Sequence, residues 1–335
     1  LDSALYWRIK TLHEQLDELE LDPEQRYLVQ RHFREMTHAG AALDEETKQR
    51  LKELNLRLST LTTTFEKNLL ADSNELALIV EDVAELDGLT SGELSAAAQA
   101  ATDRGHEGSY ALTLTLYTGH PYLSVLTNRT TRKKLMDASR SKSSRGGAND
   151  NREVLLEIVR LRAERAALLG YENHAAYVTA DETAGSPEAV HTLLRQLAPP
   201  AAANTLREQT ALQAMVDLEP EPFTLAAEDW AFYTEKVRQA EYDIDTTALR
   251  PWFEAERVLQ DGVFFAANKL YGVTFTERHD LVAYHPDARI FELHNEDGSA
   301  LGLFVLDLYT RDTKRGGAWM NPIVSQSRLR ESKPV

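Results

Sequence analysis

Leu51, Leu54, Leu58, Leu61, Phe65 and Leu69 recur at intervals of three and four residues. A helix places residues so spaced on a single face, and a face of this apolarity must be covered by other helices. The pattern therefore predicts a long amphipathic helix from about Leu51 in a mostly helical protein. Helix-start chemistry agrees. Asp22-Pro23-Glu24-Gln25 combines an N-cap, a proline at the first helical position and a capping-box partner three residues on. Asp44 precedes Glu45 and Glu46, acids that suit the positive end of a helix dipole. Val154, Ile158, Leu161 and Leu168 mark a further helix from about Asn151, with Gly170 as its C-terminal cap. Pro199-Pro200 is expected to break the next helix. Glu219-Pro220-Glu221-Pro222 reads as a loop before a helical block from Asp229.

Strand signals are fewer. Leu76–Val80 is a short apolar run, and 111–117 alternates Leu112, Leu114 and Leu116 with Thr113 and Thr115, which predicts extended chain. Ser141–Gly147 is a loop by composition. Arg289–His294 and Leu301–Tyr309 flank the turn residues Asn295-Glu296-Asp297-Gly298 and predict a β-hairpin. The second of these strands is apolar on both faces except at Asp307, which predicts burial within a small sheet. The fold class is thus mainly α, with many helices and a small β-sheet or hairpin near the C-terminus.

Composition narrows the function. The net charge of −16 repels phosphate backbones, so nucleic acid is excluded as a partner. The one basic cluster, Arg129–Lys134, reads as a solvated helix face. The absence of cysteine rules out disulfides and thiolate metal sites and points to a reducing, cytoplasmic setting. No segment approaches the roughly 20 apolar residues that span a bilayer. The first residues lack a signal-peptide layout and an initiator methionine, and Arg330–Val335 carries no stop signal, so both ends are expected to be cut.

None of the ten histidines pairs as H-x-x-x-H, so no helix offers two imidazoles to one metal. Glu35/His38 and Glu188/His191 form Glu-x-x-His steps, a spacing found in di-iron bundles, but matches of two residues arise readily in an acidic helical chain and surface polar residues are the better reading. G-x-S-x-G and phosphate-binding glycine loops are absent. The residues by themselves define an acidic, mostly helical protein and no catalytic pair.

Asp229-Trp230-Ala231-Phe232-Tyr233, Leu249-Arg250-Pro251-Trp252-Phe253-Glu254 and Leu270-Tyr271-Gly272-Val273-Thr274-Phe275 follow one another in order. Tyr284-His285-Pro286-Asp287-Ala288-Arg289 comes next, and the run from Tyr309 to Met320 closes on Arg315-Gly316-Gly317-Ala318-Trp319. In order and spacing these segments resemble the thimet oligopeptidase family of zinc metallopeptidases, and most closely its bacterial peptidyl-dipeptidases. Ala39–Leu43, the helix through Leu54 and Phe65, and Ala167–Tyr171 extend the resemblance over essentially the whole chain.

The resemblance implies two mostly helical lobes flanking a channel, with zinc held by the two histidines of H-E-x-x-H and a downstream glutamate. That motif is absent here and is expected a few tens of residues beyond Val335. The chain is accordingly expected to be a fragment. Residues 1–175 would form an N-terminal helical lobe, and 176–335 the first part of the catalytic domain without its zinc helices. The parent would hydrolyse short peptides and release C-terminal dipeptides. Zinc belongs to the parent, with none expected in this chain; the partners are short peptides and the missing C-terminal part. Gly316, Gly317 and Ala318 are expected to touch the substrate backbone, unless they form a tight turn packed under Trp319. The alternative is a non-catalytic helical peptide-binding or scaffold protein.

Overall fold

The computed structural model describes residues 2–333 apart from 116–118, 243–246, 315 and 318. Among the described residues the chain opens with three helices, α1 (Ser3–Glu14), α2 (Pro23–His38) and α3 (Glu45–Glu75). Then come β1 (Leu78–Val80), α4 (Ser91–Thr102), β2 (Tyr110–Leu112), α5 (Gly119–Val125) and α6 (Arg129–Arg140). The helices α7 (Arg152–Leu168), α8 (His174–Thr179), α9 (Pro187–Val216) and α10 (Trp230–Tyr242) follow. The chain continues through α11 (Ala255–Arg257) and α12 (Phe265–Tyr271) to β3 (Thr274–Glu277), β4 (Arg289–His294) and β5 (Ala300–Leu306). The protein is mainly helical, as its periodicity requires, with small antiparallel sheets.

The chain forms two compact units, one from residues 1–76 and 140–210, the other from 77–139 and 211–335. In the first, α3 lies along α7. Leu58 and Leu61 meet Ile158, with Phe65, Val154 and Leu161 packed around them. Each fully buried leucine of the α3 stripe contributes roughly 1.5–3 kcal/mol. Arg50–Glu164 and Arg57–Glu157, both at 2.6 Å, flank this seam. They are exposed and stabilise it little. Asp22 and Asp44 cap α2 and α3 through the amides of Gln25 and Thr47, as expected. Of the two Glu-x-x-His steps, Glu35 bonds Arg31, while His38 stacks on Tyr177 at 4.2 Å and bonds the Tyr171 hydroxyl.

The loop after α6 returns to the carboxyl end of α3. The buried Asp72 carboxylate accepts from the Ser143 amide and from Arg145. Ser143 has φ +52°, a left-handed conformation that costs a side-chain-bearing residue about 1–2 kcal/mol, and its buried hydroxyl has no partner. Ser143→Gly should therefore stabilise the protein by about 1 kcal/mol, since relief of both costs outweighs glycine's extra chain entropy. Urea unfolding measures this, and a destabilised variant would show that the serine is not strained.

Two expectations fail here. α9 runs unbroken through Pro199 and Pro200. Each proline removes one helical bond, but Arg195 and Gln196, whose carbonyls lose their donors, are exposed, so water can replace the donors. The strand expected over 111–117 is confined to Tyr110–Leu112, paired with β1, and Leu116 and Tyr117 lie outside the described residues.

Candidate functional site: an open sheet edge and a buried ion-pair clamp

The second unit carries a three-stranded antiparallel sheet in the order β3-β4-β5. Phe291 on β4 lies between Glu277 of β3 and Phe304 of β5 in the register. With Phe264 and Phe275 these rings make one aromatic cluster, Phe264 stacked on Phe275 at 3.9 Å and edge-on to Phe291 at 5.1 Å. Leu259, Leu293 and Leu306 complete this covered face. Arg289 closes its margin by bonding Glu277 and Glu256 at 2.8 and 2.7 Å. The hairpin turn is as predicted: the Asn295 amide donates to Ser299, and Gly298 takes φ +80°.

β5 differs from expectation. It ends at Leu306 and stands at the sheet edge rather than inside it. Leu301, Leu303 and Val305 are 54%, 60% and 43% exposed. Its seven residues include no charge and no proline, the usual guards of an open edge. Such a strand offers unpaired backbone groups and alternating apolar side chains to an extended polypeptide.

Asp307 then organises the turn that follows. Its carboxylate accepts from Arg311 at 2.9 Å, from Lys314 at 2.8 Å and from the Tyr284 hydroxyl at 2.9 Å. The Arg311 and Lys314 bonds hold this carboxyl far below the usual aspartate range, while the bond to Asp307 raises the Tyr284 phenol. Lys314 also donates to the Tyr309 carbonyl at 2.7 Å, and Arg104 grips Asp312 at 2.6 Å. This clamp delivers the chain to Gly316 and Gly317, both exposed. Gly317 has φ +108°, with nothing within 4 Å of where a Cβ would stand. Trp319 is largely exposed, and Ala318 lies outside the described residues.

The basic cluster of α6 is a solvated face only in part: Lys133 and Lys134 are exposed, but the arginines turn inward to a buried carboxylate. Arg132 is 2% exposed and Asp229 fully buried, and they bond at 2.9 Å. Arg129 reaches the same carboxylate at 2.8 Å, and the Ala226 amide adds a bond at 3.1 Å. The guanidinium of Arg129 lies 4.0 Å from the Phe223 ring, and that of Arg132 lies 4.3 Å from Phe232. Burial pushes the Asp229 carboxyl up, but the bonds from Arg129 and Arg132 outweigh it and the net shift is downward. Beside them Glu219 accepts from Lys236 at 2.9 Å and from the Tyr233 hydroxyl at 3.1 Å. Burial, with that bond, pushes the Tyr233 phenol up to about 12. The spacing Arg129-x-x-Arg132 was the one available signal, since it puts two guanidiniums on one helix face.

A zinc site needs three or four converging ligands. Among the described residues no group of three or more His, Asp or Glu side chains could hold a metal, so the residues present do not fit zinc. The chemistry they do support is the pairing of an extended backbone along β5. No helix is long and apolar enough to cross a membrane among the described residues.

Residues 123–335 match peptidase family M3. Dipeptidyl carboxypeptidase of Salmonella typhimurium (strain LT2) is 41% identical over 335 residues, which is all of this chain and 49% of that protein. The protein of the same name from Escherichia coli (strain K12) is 38% identical over the same span, with 49% of its length covered. Oligopeptidase A of Escherichia coli is 36% identical over 322 residues, 94% of this chain and 47% of its own length. The chain spans about half the length of the curated relatives it matches. A match over well more than half of its residues shows that the chain belongs to peptidase family M3.

Proposed function

We propose that this chain is part of a cytoplasmic zinc-dependent peptidase that hydrolyses short peptides and releases C-terminal dipeptides. Family membership and the dipeptidyl carboxypeptidase relatives support the peptidase reading. In this reading residues 1–175 are the N-terminal helical lobe and 176–335 the first part of the catalytic domain. A C-terminal part of the same protein carries the zinc. Bound there, zinc supplies a polarised scissile carbonyl and an activated water. The residues of this chain bind and orient the substrate.

The observation that carries the reading is the open edge of β5. An extended peptide adds to it by main-chain hydrogen bonds, with alternate side chains lying over Leu301, Leu303 and Val305. The Asp307 clamp precedes Gly316 and Gly317, whose lack of a side chain lets a substrate backbone approach closely, and the proposed contact includes Ala318, which lies outside the described residues.

Gly317→Val tests this in the intact enzyme. Valine is strained at φ +108° and its branched side chain fills the space a peptide backbone would use. kcat/KM should fall at least about tenfold, equivalent to ~1.4 kcal/mol of lost transition-state stabilisation. Gly170→Ala, at another left-handed glycine with open space for a Cβ but outside the proposed substrate segment, should leave kinetics unchanged. A stably folded Gly317→Val enzyme with unaltered kinetics would remove this segment from the substrate path.

A further inference from the structure

A cavity of about 110 Å³ lies where β5 ends. Leu306, Leu308 and Tyr309 wall it on the strand side, and Leu259 is a further apolar wall. Sites for whole small molecules run to roughly 300–1,000 Å³, so this one has room for a single side chain. Its place follows from the register. Leu306 pairs with Arg289 and Phe304 with Phe291, so Leu306 and Arg289 share the covered face of the sheet. Both line the cavity. A strand added to the open edge of β5 keeps the same alternation, with directly opposed residues on one face. The residue opposite Leu306 therefore points toward the cavity. Its two neighbours in the added strand point to the other face, that of Leu301, Leu303 and Val305.

The walls also set the chemistry of the side chain. Three carboxylates, Glu254, Glu256 and Asp287, line the cavity against one guanidinium, that of Arg289. Arg289 is already committed to Glu256 at 2.7 Å and to Glu277 at 2.8 Å. The Glu254 carboxylate accepts from the amides of Glu256 and Arg257, at 3.1 and 2.7 Å, and pairs with no cation among the described residues. Asp287 lies 3.7 Å from His285 and pairs with no lysine or arginine among the described residues. Glu254 and Asp287 thus bring two uncompensated charges to a cavity otherwise walled largely by leucine. A basic side chain matches both features, laying its methylene stem on the leucines while its head reaches a carboxylate. A purely apolar side chain would set hydrocarbon against those carboxylates, and an acidic one would meet like charge.

We infer that this cavity is a side-chain pocket that selects a lysine or arginine in the peptide paired along β5, with Glu254 and Asp287 choosing the charge. The inference rests on the reading of β5 as the substrate edge and adds which side chain that edge prefers.

Fluorescent threonine-rich octapeptides with one central lysine, norleucine or glutamate test it, norleucine having the aliphatic stem of lysine without its charge. Titrated into the 335-residue chain, the lysine peptide should bind at least about fivefold more tightly than the norleucine peptide, and the glutamate peptide most weakly. Asp287→Lys, at an exposed side chain, should invert the order in favour of glutamate. Glu254→Gln keeps an acceptor for the α11 amides and should reduce the preference for lysine at least about twofold. Glu296→Lys makes the same charge change as Asp287→Lys in the hairpin turn before β5 and should leave the preference intact. Equal binding of the three peptides, no binding, tighter binding of norleucine, or an order unmoved by Asp287→Lys each overturns the pocket. Cleavage of the same peptides by a longer family polypeptide containing these residues separates the two readings. Lysine-selective binding without cleavage would defeat the peptidase reading and leave the pocket standing. Cleavage with no selectivity in Kd or kcat/KM would do the reverse.

Discussion

Asp229→Asn should destabilise the protein by about 3–5 kcal/mol, the cost of leaving a buried ion without its partner. Asp229 is fully buried and answers two guanidiniums, of which Arg132 has almost no access to water. Asparagine keeps the shape but not the charge, so Arg132 would stay desolvated and uncompensated. The comparison is Lys133→Ala, which removes an exposed bridge to Asp137 on the same helix and should change stability by less than about 1 kcal/mol. Because the clamp lowers the Asp229 carboxyl below the ordinary value of 3.8, its contribution is fully present above the pKa of the unfolded chain. It is lost as pH falls through the folded pKa. The gap between native protein and variant should thus be constant from pH 5 to 7 and shrink below about pH 4. Urea titrations across that range decide it. A loss under about 1 kcal/mol, or a gap that does not change with pH, would mean the buried pair is not what holds α6 to the segment before α10.

Metal content and cleavage should separate the isolated chain from a longer family polypeptide by a wider margin still. With no converging ligand set among its described residues, the purified 335-residue chain should bind no stoichiometric zinc and release no dipeptides. A longer family polypeptide that contains these residues should do both and lose activity to a chelator. The difference in rate is that between a metal-activated water and bulk water, on the order of a millionfold or more. Elemental analysis and a peptide-release assay on one preparation measure it. Stoichiometric zinc with chelator-sensitive cleavage by this chain alone would place the active site within residues 1–335.

Local physics was legible in the sequence wherever cause and effect lie within a few residues. The caps at Asp22 and Asp44, the buried stripe Leu51–Leu61 and the hairpin turn at Asn295–Gly298 each depend on neighbours within one or two turns, and each forms as expected. Family membership was legible too, because collinear segments from Asp229 to Met320 carry a pattern that no single motif does. The Asp229 clamp was not legible. Its arginines lie 97 and 100 positions away, and a basic run looks the same in sequence whether solvated or buried. β5 was misjudged for a related reason: an uncharged strand states that it must be covered, not by what, and here its outer edge is open. Pro199 and Pro200 continue a helix because the carbonyls they orphan belong to residues that face water. The sequence determined the elements and their capping, since these follow from backbone sterics and side-chain spacing. Only the tertiary structure decided which charges lose their water and which apolar faces keep it, because solvent access depends on what the rest of the chain brings alongside.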